Sequence, residues 1–175
     1  MLDLLIVVDM QTDFIEGPLS TDEARAILPR VKEVIKEYRP EYVIFTRDSH
    51  QDDYLETQEG QKLPIPHCII GTPGWQIHPE LEALRRNAAI DKPTFGSWQL
   101  GEYLRDLNTV TPIHSIKIIG VCTDICVISN AMLLRAALPE TEIIVDASAC
   151  AGVTPEAHRT ALNALKATQT TILNE

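Results

Sequence analysis

Leu4-Leu5-Ile6-Val7-Val8-Asp9 decides the fold. Five apolar residues, three of them β-branched, run without interruption into a carboxylate. A strand with one wet face alternates apolar and polar residues, whereas a strand covered on both faces reads as a continuous apolar run. The stretch is therefore predicted to be a central strand of a parallel sheet, with Asp9 at its carboxyl end. The same residues do not suit a secretory leader, because no basic region precedes them, no small-residue cleavage site follows, and acids punctuate them.

Further apolar runs follow, separated by stretches of helical period. Strands are predicted at Tyr42–Thr46, Ala88–Asp91, Ser115–Val121, Glu142–Val145 and Thr170–Leu173. Helices are predicted at Ile27–Tyr38, at Ser97–Leu107 with Ser97 as N-cap, at Asp124–Ala137, and from Thr154-Pro155-Glu156 onward, with proline at the first helical position. Between Arg47 and Gly74 lies a long segment rich in Pro, Gly, Asp and His, read as irregular. No repeat or linker divides the chain, so residues 1–175 are read as one domain. Alternating strands and helices specify an α/β fold, a doubly wound, Rossmann-like parallel sheet of six strands between two helical layers. Ligands in such sheets bind beyond the carboxyl ends of the strands, near the point where strand order reverses. That rim should collect Asp9, Lys92 and the turn Gly120-Val121-Cys122-Thr123-Asp124-Ile125-Cys126.

Composition narrows the function. Hydrophobic residues make up 45% and charged residues 23%, as in an ordinary globular domain. No apolar run is long enough to span a bilayer, and the protein is placed in the cytoplasm. A formal net charge of −10 with no basic patch argues against nucleic acid as partner. After the first strand comes Asp9-Met10-Gln11-Thr12-Asp13-Phe14, not a glycine-rich phosphate cradle, which disfavours a dinucleotide domain. The four cysteines, Cys68, Cys122, Cys126 and Cys150, are read as free thiols, because nothing in the chain suggests an oxidising compartment.

Cys126 stands out among them. It falls in the first turn of a predicted helix, with Thr123 or Asp124 as cap. Unpaired amides and the helix dipole there favour a thiolate and could donate to an oxyanion. An arbitrary cysteine is more often a buried apolar residue, but a strand-to-helix turn beside an acid and a lysine favours a nucleophile. Cys122 and Cys126 form C-x-x-x-C, which is not the usual C-x-x-C redox spacing, and no second cysteine pair completes a zinc site. A second constellation lies in the irregular segment. Asp48 and His50, two residues apart after a strand, can face one cation, and His67 follows a proline-stiffened stretch. Two imidazoles with carboxylates suit zinc, iron or manganese.

Several of these blocks together resemble the nicotinamidase/isochorismatase-like cysteine hydrolase family. Asp9-Met10-Gln11-Thr12-Asp13-Phe14 resembles its D-x-Q-x-D-F opening, Lys92 in Asp91-Lys92-Pro93 its central lysine, and Gly120 to Val127 its G-x-x-T-D-x-C-V nucleophile motif. Asp48-Ser49-His50, Pro66-His67-Cys68 and Gly71-Thr72-Pro73-Gly74 are similar to its metal-loop segments. The resemblance implies a Cys126–Asp9–Lys92 triad, and a cis peptide between Val121 and Cys122 that turns the Cys122 and Cys126 amides into an oxyanion hole. It implies a divalent metal, zinc first, on Asp48, His50, His67 and a fourth acid, with Glu59 matching in place of the family's third histidine and Glu56 and Asp53 as alternatives. It implies a homodimer or homotetramer, and a small amide as substrate, nicotinamide first, with Phe14 stacking on it. The family's nicotinamide-hydrolysing members carry an aromatic residue before the Pro-x-His segment. This chain has Leu63-Pro64-Ile65 there, and Phe95 and Trp98 are the candidates to replace that aromatic. Hydrolysis of an N-carbamoyl or ureido compound is the alternative within the family. A thiol redox or binding protein on the same scaffold is the alternative outside catalysis.

Overall fold

The computed structural model describes residues 1–175. Six parallel strands form one sheet: β1 (Leu2–Val8), β2 (Val43–Asp48), β3 (Ile90–Lys92), β4 (Ile113–Val121), β5 (Glu142–Ala151) and β6 (Thr171–Leu173), in the order β3-β2-β1-β4-β5-β6. The helices are α1 (Thr12–Ile15), α2 (Asp22–Ala26), α3 (Leu28–Lys36), α4 (Gln58–Lys62), α5 (Pro79–Glu82), α6 (Trp98–Val110), α7 (Ile128–Ala137) and α8 (Pro155–Ala167). The connection from β1 to β2 runs one way across the sheet, and those from β3 to β6 run the other. Right-handed crossovers therefore place α3 on one face and α6, α7 and α8 on the opposite face. This is the predicted three-layer, doubly wound α/β architecture. Leu4 to Val8 are buried, as a strand covered on both faces requires, and they belong to a single core of 38 buried residues. No helix is long and apolar enough to cross a membrane.

Several boundaries differ from the sequence reading, each for a local reason. The helix predicted from Ile27 begins at Leu28, which puts Pro29 in its first turn, where its missing N–H leaves no bond unmade. β3 covers Ile90–Lys92 rather than ending at Asp91, because Lys92 pairs in register with Asp48 of β2. β5 runs on to Ala151. Ile118 faces Val145 while Gly120 faces Cys150, so β5 bulges through Asp146–Ala149 before pairing resumes. The segment read as irregular after Arg47 contains α4, capped by Thr57, whose Oγ1 accepts the Gly60 N–H at 3.0 Å.

The helix predicted from Asp124 also begins differently. Thr123–Val127 form a widened, π-type turn, and the regular α7 starts only at Ile128. Neither predicted residue caps it. Thr123 Oγ1 lies 2.7 Å from His158 Nδ1, and Asp124 Oδ1 accepts the Val153 N–H at 3.0 Å. Both side chains tie the turn sideways to the segment around the start of α8.

Candidate active site

Strand order reverses between β1 and β4, and the two strands lie side by side to their ends, with Val8 opposite Gly120. Asp9 leaves β1 there with φ of 50°, and β4 leads through a cis Val121–Cys122 peptide into the turn that carries Cys126. On the other side β2 ends at Asp48 and β3 at Lys92. Four strands thus bring a carboxylate, a second carboxylate, an ammonium and a thiol to one rim.

Lys92 stands at the centre of this group, 1% exposed. Its Nζ lies 2.6 Å from Asp9 Oδ2 and 3.4 Å from Asp48 Oδ1. It donates to Thr94 O at 3.1 Å and reaches Cys126 Sγ at 3.5 Å. Burial alone would lower the pKa of Lys92. The negative charges of Asp9 and Asp48 outweigh it and hold the amine protonated. Asp9 is fully buried, and Thr46 Oγ1 donates to its Oδ1 at 2.7 Å. Its other oxygen, Oδ2, faces Lys92 Nζ in a buried, charge-assisted contact. Burial raises the Asp9 carboxyl above the usual carboxylate range, with Lys92 opposing.

The Cys126 thiol departs from the sequence reading. Burial raises its pKa well above the ordinary thiol value, the Asp9 carboxylate pushes the same way, and Lys92 only partly offsets them. The expectation of a thiolate favoured by a helix terminus placed the cysteine correctly in the chain but missed the missing water. Cys122, half-buried beside it, is also raised, to about 12. All four cysteines are free.

The second cluster adjoins the first through Asp48. Its Oδ2 lies 2.9 Å from His50 Nε2 and 3.4 Å from His67 Nε2. Glu59 Oε1, on α4, lies 3.7 Å from His50 Nε2 and 3.9 Å from His67 Nε2. One ligand atom from each of Asp48, His50, Glu59 and His67 falls within 4.8 Å of all the others. His67 Nδ1 is 2.8 Å from Ile65 O, which would hold a proton on that nitrogen and leave Nε2 to face a cation. Convergent lone pairs from two imidazoles and two carboxylates fit a divalent cation. The alternatives Glu56 and Asp53 are exposed and do not join the cluster.

The three aromatics separate. Phe14 is buried on α1, its ring 5.7 Å from that of His67. Phe95 is 44% exposed in the segment after Lys92. Trp98 is 69% exposed and lines a surface groove with Gly101, Glu102, Arg105, Leu133 and Ala137, between α6 and α7. The structure therefore brings Phe14 to the cluster of Asp48, His50, Glu59 and His67 and turns Trp98 toward a different surface.

Two supporting residues had no role in the sequence reading. Gln11 is fully buried; it accepts the Asp48 N–H at 2.7 Å and donates to Asp48 O and Trp75 O, each at 2.8 Å. Asp13 Oδ2 accepts the Cys68 N–H at 2.7 Å, which pins the His67 loop to α1. Polar residues directly after a buried strand were the available signal, since buried polar groups need partners.

The Isochorismatase domain family matches residues 3–174. The nicotinamidase/pyrazinamidase of Mycobacterium tuberculosis is 30% identical over 162 residues, covering 83% of this chain and 85% of that protein. A nicotinamidase structure from Bacillus subtilis superposes with a TM-score of 0.84 at 26% identity, covering 99% of this chain and 100% of that one. A pyrazinamidase from Pyrococcus horikoshii, solved in complex with zinc, gives 0.79 at 25% identity and covers 99% of both chains. From the N-terminal strand to the last, the chain belongs to the isochorismatase family.

Proposed function

We propose that the protein hydrolyses a small amide through a thioester on Cys126, with nicotinamide as its first candidate substrate. The observation that carries this reading is the placement of Lys92 Nζ against both Asp9 Oδ2, at 2.6 Å, and Cys126 Sγ, at 3.5 Å, at the sheet's switch point. The family relationship and the nicotinamide- and pyrazinamide-hydrolysing relatives support it.

The thiol is neutral at rest, because a thiolate beside Asp9 would set two buried negative charges against one ammonium. Proton transfer therefore accompanies attack. Asp9 Oδ2 takes the thiol proton as Sγ bonds to the amide carbon, and the carbonyl electrons move to oxygen. The backbone N–H groups of Cys122 and Cys126 hold that oxyanion. Asp9 then gives the proton to the departing nitrogen, and ammonia leaves. Water attacks the thioester with Asp9 again as base, releasing the acid and the thiol. Lys92 stays charged throughout and holds Asp9 and the sulfur in place. Asp48, His50, Glu59 and His67 would hold a divalent cation, with zinc, iron and manganese suited to the set. When bound, that cation supplies an electrophilic contact for a substrate lone pair such as a pyridine nitrogen, and Phe14 lies beside the cluster to cover the ring.

Ammonia release from nicotinamide, benzamide and an N-carbamoyl amino acid tests the reading. Nicotinamide should turn over roughly a hundredfold faster than benzamide, which has the same shape without the ring nitrogen. Cys126→Ala should lose about 10³-fold or more in kcat. Full turnover by that variant would sink the thioester route. Ammonia from the N-carbamoyl compound alone would keep the route and replace the substrate.

A further inference from the structure

Cys126 opens its helix through a widened turn. Side chains one turn further on bond two of its carbonyls. Ser129 Oγ donates to Ile125 O at 2.6 Å, and Asn130 Nδ2 donates to Cys126 O at 2.8 Å. Asn130 does more than this. It is 1% exposed, its Nδ2 also donates to Phe95 O at 3.2 Å, and its Oδ1 accepts the Ser97 N–H at 3.0 Å. Both amide hydrogens and the amide oxygen are thus used, and two of the three bonds leave α7 for the segment between β3 and α6. That segment starts at Thr94, whose carbonyl accepts from Lys92 Nζ. Its approach to α7 is close. A Cβ on Gly96 would lie 2.5 Å from Leu133 Cδ1 and 3.3 Å from Ser129 O.

We propose that Asn130 is a positioning residue for the hydrolysis inferred above, on which this role rests. It ties the backbone of the nucleophile to the Thr94–Ser97 segment, and so sets the separation of Cys126 Sγ from Lys92 Nζ. It touches neither substrate nor a reacting atom. Its effect passes through two backbone segments that would otherwise meet only by packing.

Three variants isolate the tie. Asn130→Ala removes all three bonds. Asn130→Asp keeps the shape and the acceptor but loses both donors. Asn130→Thr keeps the bond to Cys126 O, because a helical threonine hydroxyl reaches the carbonyl four residues back, and loses both bonds to the loop. The probe is iodoacetamide, with alkylation of Cys126 followed by peptide mass analysis across pH, alongside kcat and KM for ammonia release and the unfolding midpoint. All three variants should alkylate about tenfold more slowly near neutral pH, with the profile displaced to higher pH, because Lys92 no longer sits against the sulfur. Their kcat should fall by a similar factor, with a smaller change in KM. Should Asn130→Ala not fold, the aspartate and threonine variants decide. Wild-type alkylation in Asn130→Thr would overturn the tie and reduce Asn130 to a carbonyl cap. A lowered unfolding midpoint with an unmoved alkylation profile would also overturn it. Alkylation that responds as expected in a protein releasing no ammonia would uphold the tie and reject the amidase reading.

Discussion

Asp9 and Cys126 share one environment, and burial raises the pKa of both groups. For the acid this means that its proton-accepting form disappears on acidification earlier than an ordinary carboxylate's. For the thiol it means that the neutral form persists through the neutral range. The acid limb of kcat/KM should therefore lie above the usual carboxylate value of about 4, and the profile should then be flat through neutrality. A rate that climbs steadily from about pH 6 to 9, in step with thiolate formation, would show that burial does not govern the sulfur. Cys150 supplies the control for this experiment. It is buried in β5 with Sγ 3.9 Å from Ile118 O, remote from Lys92, so Cys150→Ala should leave the profile unmoved. The sequence showed which thiol stands at a strand-to-helix turn. It could not show the direction of the pKa shift, because motif spacing carries no information about how much water the folded chain excludes.

The strand pair β1–β4 holds the two halves of this chemistry together, and one glycine permits its spacing. Gly120 adopts φ of +116°, and a Cβ there would lie 2.2 Å from Val8 O and 2.9 Å from Val8 N. Both obstacles are backbone of a central strand, which cannot rotate away. Gly120→Ala should therefore cost about 3 kcal/mol or more by urea unfolding, and should separate Asp9 from the nucleophile turn in whatever remains folded. A change within about 0.5 kcal/mol, the usual range of a surface substitution, would show that the strands part easily. This glycine also marks how far the elements were legible. β1 and β2 could be read because burial on both faces leaves a mostly apolar run, and β4 because Ile116, Ile118 and Ile119 mark it despite Lys117. β5 could be followed only to Val145, because its bulge inserts Asp146, Ala147 and Ser148 where an apolar run was sought. α1, α2 and α4 span four, five and five residues, too few for a helical period to declare itself. The π-type turn was hidden for another reason: its sequence resembles any helix start, and its side-chain ties reach His158 and Val153, far along the chain.

At the scale of the whole molecule, the candidate metal cluster joins the end of the sheet to the loops beyond it. Asp48 ends β2 and His50 follows it closely, but Glu59 comes from the five-residue α4, and His67 from a loop pinned by Asp13. Asp48, His50 and His67 are buried, but the 38-residue apolar core is built from the sheet and its helices. In small metal-dependent domains the ion supplies the folding energy itself. Here the sheet and its helices should fold without it, and the ion should add stability only by binding the native state. After chelation and dialysis, circular dichroism should show native helix content. Added zinc or manganese should then raise the unfolding midpoint by a few degrees, in proportion to the logarithm of its free concentration (about 2.7 kcal/mol at a hundred times Kd). Glu59→Gln tests the fourth ligand. Glu59 lies farther from the two imidazoles than Asp48 does, and its carboxyl is raised by burial and by the neighbouring Asp48, a penalty that a cation would relieve. The glutamine variant should fold normally, bind the ion 10–100-fold more weakly and show a correspondingly smaller thermal shift. Equal affinity in the two proteins would remove Glu59 from the ligand set. Loss of helix content on chelation would show that the loop, not the sheet, carries the stability of this molecule.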